Sequence, residues 1–336
     1  MSESASEKTL APAEASVAVL PSSSPTEKAG IASSTPSAAA PKATPPPPTA
    51  ARRNLSTLAR TDAFIAHLQR CMQTRAGADT VLMFACYATR LAGGVLDLGG
   101  RAALRSSARQ LVSALFSLPP ATTVVIESAT ASPAIARVLD LAQRLQTYSG
   151  MISEMRTMGR LWGLLGLYSA VKGLAAKTFA ARKGSSGGDD ALSDDAAERT
   201  FAALLAWAQV ICLVVFQACE NAAYLGSKKI LPIKPLNQGR LAVLSVRFWG
   251  AYVAMELVKH LVERGRVLAA AGGVVKTAEQ RTWQEGWRTA FYRNAAWAPL
   301  TMHWGTPGGL LPDVAVALLA LYPATGGLRD LWRSTA

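Results

Sequence analysis

TFAALLAWAQVICLVVFQAC, Thr200 to Cys219, is a run of twenty residues without one formal charge. A helix rises about 1.5 Å per residue, so such a run reaches across a hydrocarbon core of roughly 30 Å. Glu220-Asn221 follow at once, and then the basic residues Lys228, Lys229 and Lys234. That order reads as a spanning helix, a polar end and a cationic anchor at the membrane surface. Glu220 and Asn221 are either an intramembrane functional pair or a cap at headgroup level. The competing reading, a buried helix of a large soluble domain, seldom stays uncharged for this long.

Composition points the same way. Half of the 336 residues are hydrophobic and only 17% are charged, with a mean hydropathy of +0.19. That is too apolar for an ordinary soluble domain and too polar for a many-helix transporter. A few spans accompanied by amphipathic helices fit it. The net charge of +13 (35 basic minus 22 acidic residues) calls for an anionic partner. With this much apolar surface, a phospholipid leaflet is expected rather than nucleic acid. Cys71, Cys86, Cys212 and Cys219 have no metal-ligand spacing. Two of them lie inside the proposed span, which speaks against a disulfide framework.

Residues 1–58, rich in Ser, Ala, Thr and Pro and including Pro45 to Pro48, read as a disordered cytosolic tail. Order is expected from about Thr61, where Phe64, Ile65, Leu68, Cys71 and Met72 share a helical face. Gly77 is expected to break that helix. A second one follows from Asp79 to about Leu98, with Val81, Leu82, Ala85, Ala88, Leu91 and Val95 apolar. Tyr87, Arg90, Gly94 and Asp97 form its polar stripe, and Gly99-Gly100 is expected to stop it. Arg101, Arg105 and Arg109 open a further amphipathic segment ending at Pro119-Pro120.

Ser132-Pro133 has the pattern of a helix start, serine to cap and proline in the first turn. After an expected interruption at Gly150, Met151, Met155, Met158 and Trp162 oppose Ser153, Arg156 and Arg160. Arginines on one face and Met and Trp on the other suit a helix lying in a lipid interface, with Arg144, Arg156 and Arg160 at the membrane surface. A core helix of a bundle gives the same pattern.

Leu161 to Phe179, mostly apolar with Lys172 and Lys177 its charges, is a weaker second span. The Gly-, Ser- and Asp-rich stretch Lys183 to Arg199 separates it from the strong one. Basic flanks on the outer ends make 161–222 a helical hairpin with its acidic loop away from the cytosol. Leu241 to Val262, interrupted by Arg247, Glu256 and Lys259, is compatible with a span, a bundle helix or an interfacial helix. Trp283, Trp287, Trp297 and Trp304 precede the apolar stretch Leu310 to Tyr322, as in an interfacial aromatic belt. The organisation expected is therefore all-α: amphipathic helices over 60–160, the hairpin, and C-terminal membrane-associated helices over 240–336.

Catalytic groupings are not apparent. His67, His260 and His303 stand far apart, and no Walker loop, dinucleotide fingerprint or nucleophile elbow is present. The expectation is a protein with no catalytic residues, cofactor or metal.

Five stretches carry a resemblance: GADTVLMFACYATRLAGGVL (77–96), ISEMRTMGRLWGLLGLYS (152–169), FQACENAAYLGSKKIL (216–231), LSVRFWGAYVAMEL (244–257) and NAAWAPLTMHW (294–304). In this order the chain resembles the peroxin-11 family of peroxisomal membrane proteins, most closely its fungal peroxin-11C branch. Glu220, Asn221, Tyr224 and Leu225, and Trp297, Pro299, His303 and Trp304, are the motif residues. The resemblance implies an integral protein of the peroxisomal membrane with a cytosolic N-terminus, and no enzymatic activity. It implies elongation and fission of peroxisomes by amphipathic-helix insertion and self-association. Expected partners are anionic lipid, other peroxin-11 proteins and the dynamin-related fission machinery. A channel for small metabolites is the alternative the family suggests, and a tether or adaptor using the tail is a third.

Overall fold

In a computed structural model, residues 50–117, 132–184, 194–270 and 277–336 are described, and they form helices without a strand. The helices are α1 (Ala50–Met72), α2 (Arg75–Phe116), α3 (Pro133–Arg160), α4 (Gly163–Gly184), α5 (Asp194–Ser227), α6 (Pro235–Ala270), α7 (Ala278–Trp304) and α8 (Asp313–Ser334). The expected disorder of residues 1–49, the Pro119-Pro120 stop, the centre of the acidic loop (185–193) and Gly272-Gly273 lie outside the described residues.

Four helices, α2, α5, α6 and α8, are long and apolar enough to cross a membrane. In the most apolar window of each, only 22–28% of the residues are buried within the protein. The rest are partly or fully exposed, and a protein with that much apolar exterior is compatible with membrane association. The sequence singled out α5, which is the most apolar of the four with a mean hydropathy of 2.1. α4 pairs with α5, as the hairpin requires, through a Trp207 Nε1 bond to Thr178 Oγ1 at 3.1 Å. It does not itself reach the apolarity of a span.

Several expected boundaries are displaced. α1 starts at Ala50, two residues after the last proline of Pro45–Pro48, rather than near residue 59. Ala50, Ala51, Arg52 and Arg53 are good helix formers once proline ends. The break before α2 falls at Gln73-Thr74, and Gly77 sits inside α2's first turn. A Cβ there would lie 2.0 Å from the Cys71 carbonyl oxygen, so a close backbone approach explains the glycine. α2 runs unbroken through Gly99-Gly100, and α3 through Gly150. Glycine costs only about 1 kcal/mol in a helix interior, which packing of Gly100 against Leu139 offsets. α3 begins with Pro133 as expected, but Ser132 makes no side-chain capping bond. α8 continues through Pro323, and α7 through Pro299.

The α2–α3 pair is an antiparallel seam of small residues. Asp79, Cys86, Gly93 and Gly100 on α2 are spaced by seven, as are Ala142, Ser149 and Arg156 on α3. Arg156 meets Asp79, Ser149 meets Cys86, Ala142 meets Gly93, and Leu139 meets Gly100. A seven-residue repeat keeps one stripe facing its neighbour along a supercoil, and small residues let the backbones approach. On the other side, α2, α5, α6, α7 and α8 enclose Tyr87, Phe216, Trp249, Trp297, Leu300 and Val316.

Candidate functional site

Most of the polar residues that the described helices bury lie on the second half of α3 and near the end of α5. Ser149, Ser153, Arg156, Thr157 and Arg160 are buried on α3, and Gln217, Glu220 and Asn221 on α5. Arg160 donates from Nε to Glu220 Oε2 at 2.9 Å and from Nη2 to Oε1 at 2.7 Å. This fork-to-fork arrangement is the strongest geometry for a guanidinium and a carboxylate. Arg160 Nη2 also reaches Thr157 Oγ1 at 3.2 Å. One turn earlier, in the α2–α3 seam, Arg156 donates from Nε to Asp79 Oδ1 at 2.9 Å.

Gln217 extends the network along α5. Its Nε2 donates to Asn221 Oδ1 at 2.8 Å and to Glu220 Oε2 at 3.2 Å. Asn221 Nδ2 then donates to the Leu161 carbonyl at 3.3 Å, satisfying backbone left open at the α3–α4 break. Gln217 lies close against Gly163, where a Cβ would come 2.8 Å from Gln217 Oε1 and make the amide shift. At the outer rim, Lys228 pairs with Glu154, and Tyr224 donates to Glu154 at 3.4 Å. The bond from Lys228 and its charge hold the Glu154 carboxyl below the usual range.

This placement corrects the surface role expected for Arg156 and Arg160. They are 2% and 5% exposed, while Met151, Met155, Met158 and Trp162 are 54–67% exposed. The amphipathic pattern is real, but the polar face turns into the bundle and the apolar face turns out. α2 behaves likewise: Tyr87 of the polar stripe is fully buried, and Val95 of the apolar side is half exposed. Of the three arginines, only Arg144 is exposed, in an i,i+4 pair with Asp140 at 2.8 Å.

The two motif strings occupy different places. Glu220 and Asn221 belong to the polar junction. Tyr224 lies at its rim, and the Leu225 carbonyl accepts from Ile230 N at 3.0 Å where α5 ends. Trp297 packs on Trp249 with ring centroids 5.3 Å apart, and Trp304 stacks on Trp249 at 6.0 Å. Pro299 lies within α7 beside buried Leu300. His303 Nδ1 accepts from Leu310 N at 2.7 Å and from Leu311 N at 2.9 Å. Burial lowers the pKa of His303, against the opposing pull of Asp313.

Sequence reasoning missed the partners Asp79 and Glu220 of the two arginines. The sevenfold spacing of Asp79, Cys86, Gly93 and Gly100 was the available signal for the first. Gln209, on the strong span, bonds Glu256 of α6 at 2.7 Å, a second polar contact between apolar helices. Among the described residues, no group of three or more His, Cys, Asp or Glu could hold a metal ion. Compared with known proteins, the chain matches no family model, no curated protein and no solved structure.

Proposed function

We propose that this chain is an integral protein of the peroxisomal membrane that promotes elongation, fission and proliferation of peroxisomes without catalysing a reaction. The observation that carries the reading is the outward-facing apolar surface of α3, with Met151, Met155, Met158 and Trp162 out and Arg156 and Arg160 in. Such a face gains from lipid and not from water. Each large apolar side chain moved out of water is worth roughly 1.5–3 kcal/mol. A helix seated at headgroup depth expands one leaflet and favours positive curvature. The order of the five resembling stretches takes this general membrane role to the peroxisome. The net charge of +13 suits an anionic leaflet. Self-association, pairing with related proteins and recruitment of a dynamin-related fission GTPase complete the proposal, with the N-terminus cytosolic.

The channel alternative asks for polar side chains free to line a path. The polar groups considered above, Arg160, Glu220, Gln217, Asn221, Gln209 and Glu256, bond to one another instead. Purified protein reconstituted into anionic vesicles separates the readings. Tubulation without solute flux is expected, and conductance without shape change would support the channel. In cells, loss of the protein should leave fewer and larger peroxisomes, and the tagged chain should stay with the peroxisomal membrane through alkaline carbonate. Its release into the supernatant, or residence in another organelle, would overturn the assignment.

A further inference from the structure

The turn joining α7 to α8 is built around one imidazole. His303, in the last turn of α7, turns Nδ1 toward two consecutive backbone N–H groups, of Leu310 at 2.7 Å and Leu311 at 2.9 Å. A nitrogen that accepts two N–H bonds carries no proton of its own, so the ring is held neutral with its hydrogen on Nε2. The approach depends on Gly308 and Gly309, whose φ values of 88° and 73° lie in the left-handed region. At Gly309 any Cβ would also lie 2.4 Å from His303 Cε1. No other residue type at 309 lets the chain double back so closely over the ring.

The charged groups around the ring are few. Arg90 of α2 opposes protonation of His303 and Asp313 of α8 favours it. They also pair with each other at 3.4 Å. Arg247 of α6 holds the Gly305 carbonyl at 3.2 Å, fixing the near end of the turn. Trp304 lies edge-on beside the ring. Adding a proton at Nδ1 would replace two hydrogen bonds with a donor facing two donors.

We propose that His303 is a pH-operated clasp: the neutral ring holds the 305–312 turn and the entry to α8, and protonation releases them. The sign follows from linkage. A histidine whose pKa is lowered by folding contributes stability that is complete above its unfolded value near 6.5, and lost as pH falls below it. Acidification on the side of the membrane that carries this turn would therefore loosen α8, one of the four apolar helices, while leaving the α3–α5 junction closed. The clasp stands independently of the peroxisomal reading.

Amide exchange of the full chain in lipid nanodiscs, corrected for the intrinsic pH dependence, tests it on peptides covering 305–312. Protection at Leu310 and Leu311 should fall more than about tenfold between pH 7.5 and pH 5. His303→Gln keeps an acceptor that does not titrate, and should stay protected at both values. His303→Ala should be unprotected at both. Asp313→Asn removes the charge that favours protonation and should move the step to lower pH without abolishing it, because the ring and not the carboxylate is the switch. Undiminished protection of the parent chain at pH 5, or a step that moves to higher pH in Asp313→Asn, would overturn the clasp. So would the same step persisting in His303→Gln.

Discussion

Where α3 meets α5 the buried side chains are Arg160, Glu220, Gln217 and Asn221; where α6 meets α7 they are Trp249, Trp297 and Leu300. Both contacts are tight, yet they rest on different physics. In lipid an apolar side chain gains little by turning inward, because the acyl chains outside are as apolar as the core. The aromatic contact therefore relies on shape and dispersion. Its ring pairs at 5.3 and 6.0 Å contribute roughly 0.5–1.5 kcal/mol each. The polar contact relies on direction: a guanidinium with no carboxylate opposite has nowhere favourable to go. The polar junction thus determines which helix faces meet, and the aromatic core determines how closely they pack.

Removing one partner of the buried pair should have the largest effect. Glu220→Ala leaves Arg160 uncompensated and is expected to cost about 3–5 kcal/mol, measured by denaturant unfolding in detergent. Replacing both, Arg160→Met with Glu220→Leu, should restore most of that loss. Recovery of less than half would mean that the pair contributes more than mutual neutralisation. Trp297→Ala, in the other region, is expected to cost about 3 kcal/mol through a cavity. Trimming its neighbour with Trp249→Ala should add to that loss instead of rescuing it. A rescue there would erase the distinction between the two contacts.

The α2–α3 seam yields an intermediate effect. Gly100→Val drives a branched side chain into Leu139 and should cost about 1–3 kcal/mol. The adjacent Gly99, with nothing within 4 Å, should instead gain about 0.5–1 kcal/mol as alanine. Equal effects at the two positions would dissolve the seam. The smallest change is expected at Arg144, whose pair with Asp140 is exposed: Arg144→Glu should lower stability by less than about 1 kcal/mol. Its effect should show mainly as weaker flotation with anionic vesicles, and unchanged flotation would remove Arg144 from the membrane-facing surface.

Much of the fold was legible because its signals are local. An uncharged run such as Thr200–Cys219 has few alternatives to a spanning helix, and Ser132-Pro133 marks the start of α3 whatever surrounds it. The glycines were misread for a corresponding reason. A glycine pair normally ends a helix, and only the neighbour at Leu139 explains why Gly100 is tolerated inside α2. Glu220 and Asn221 were visible as motif residues from their order beside the span. Their partners were not, since Arg160 is sixty residues away in sequence and no periodicity links the two.

The sequence by itself determined that the chain is helical, that several helices suit lipid, and that α2 and α3 each have a polar and an apolar face. These properties depend on composition and on 3.6-residue periodicity, both of which survive without tertiary contacts. Tertiary structure alone decided which face points inward. In water the apolar face would have to be buried. Beside lipid that requirement lapses, and the desolvation cost of Arg156 and Arg160 is met chiefly by the carboxylates of Asp79 and Glu220 on other helices. The same two-sided pattern therefore admits opposite orientations, and the choice between them is made by partners that the helix does not contain.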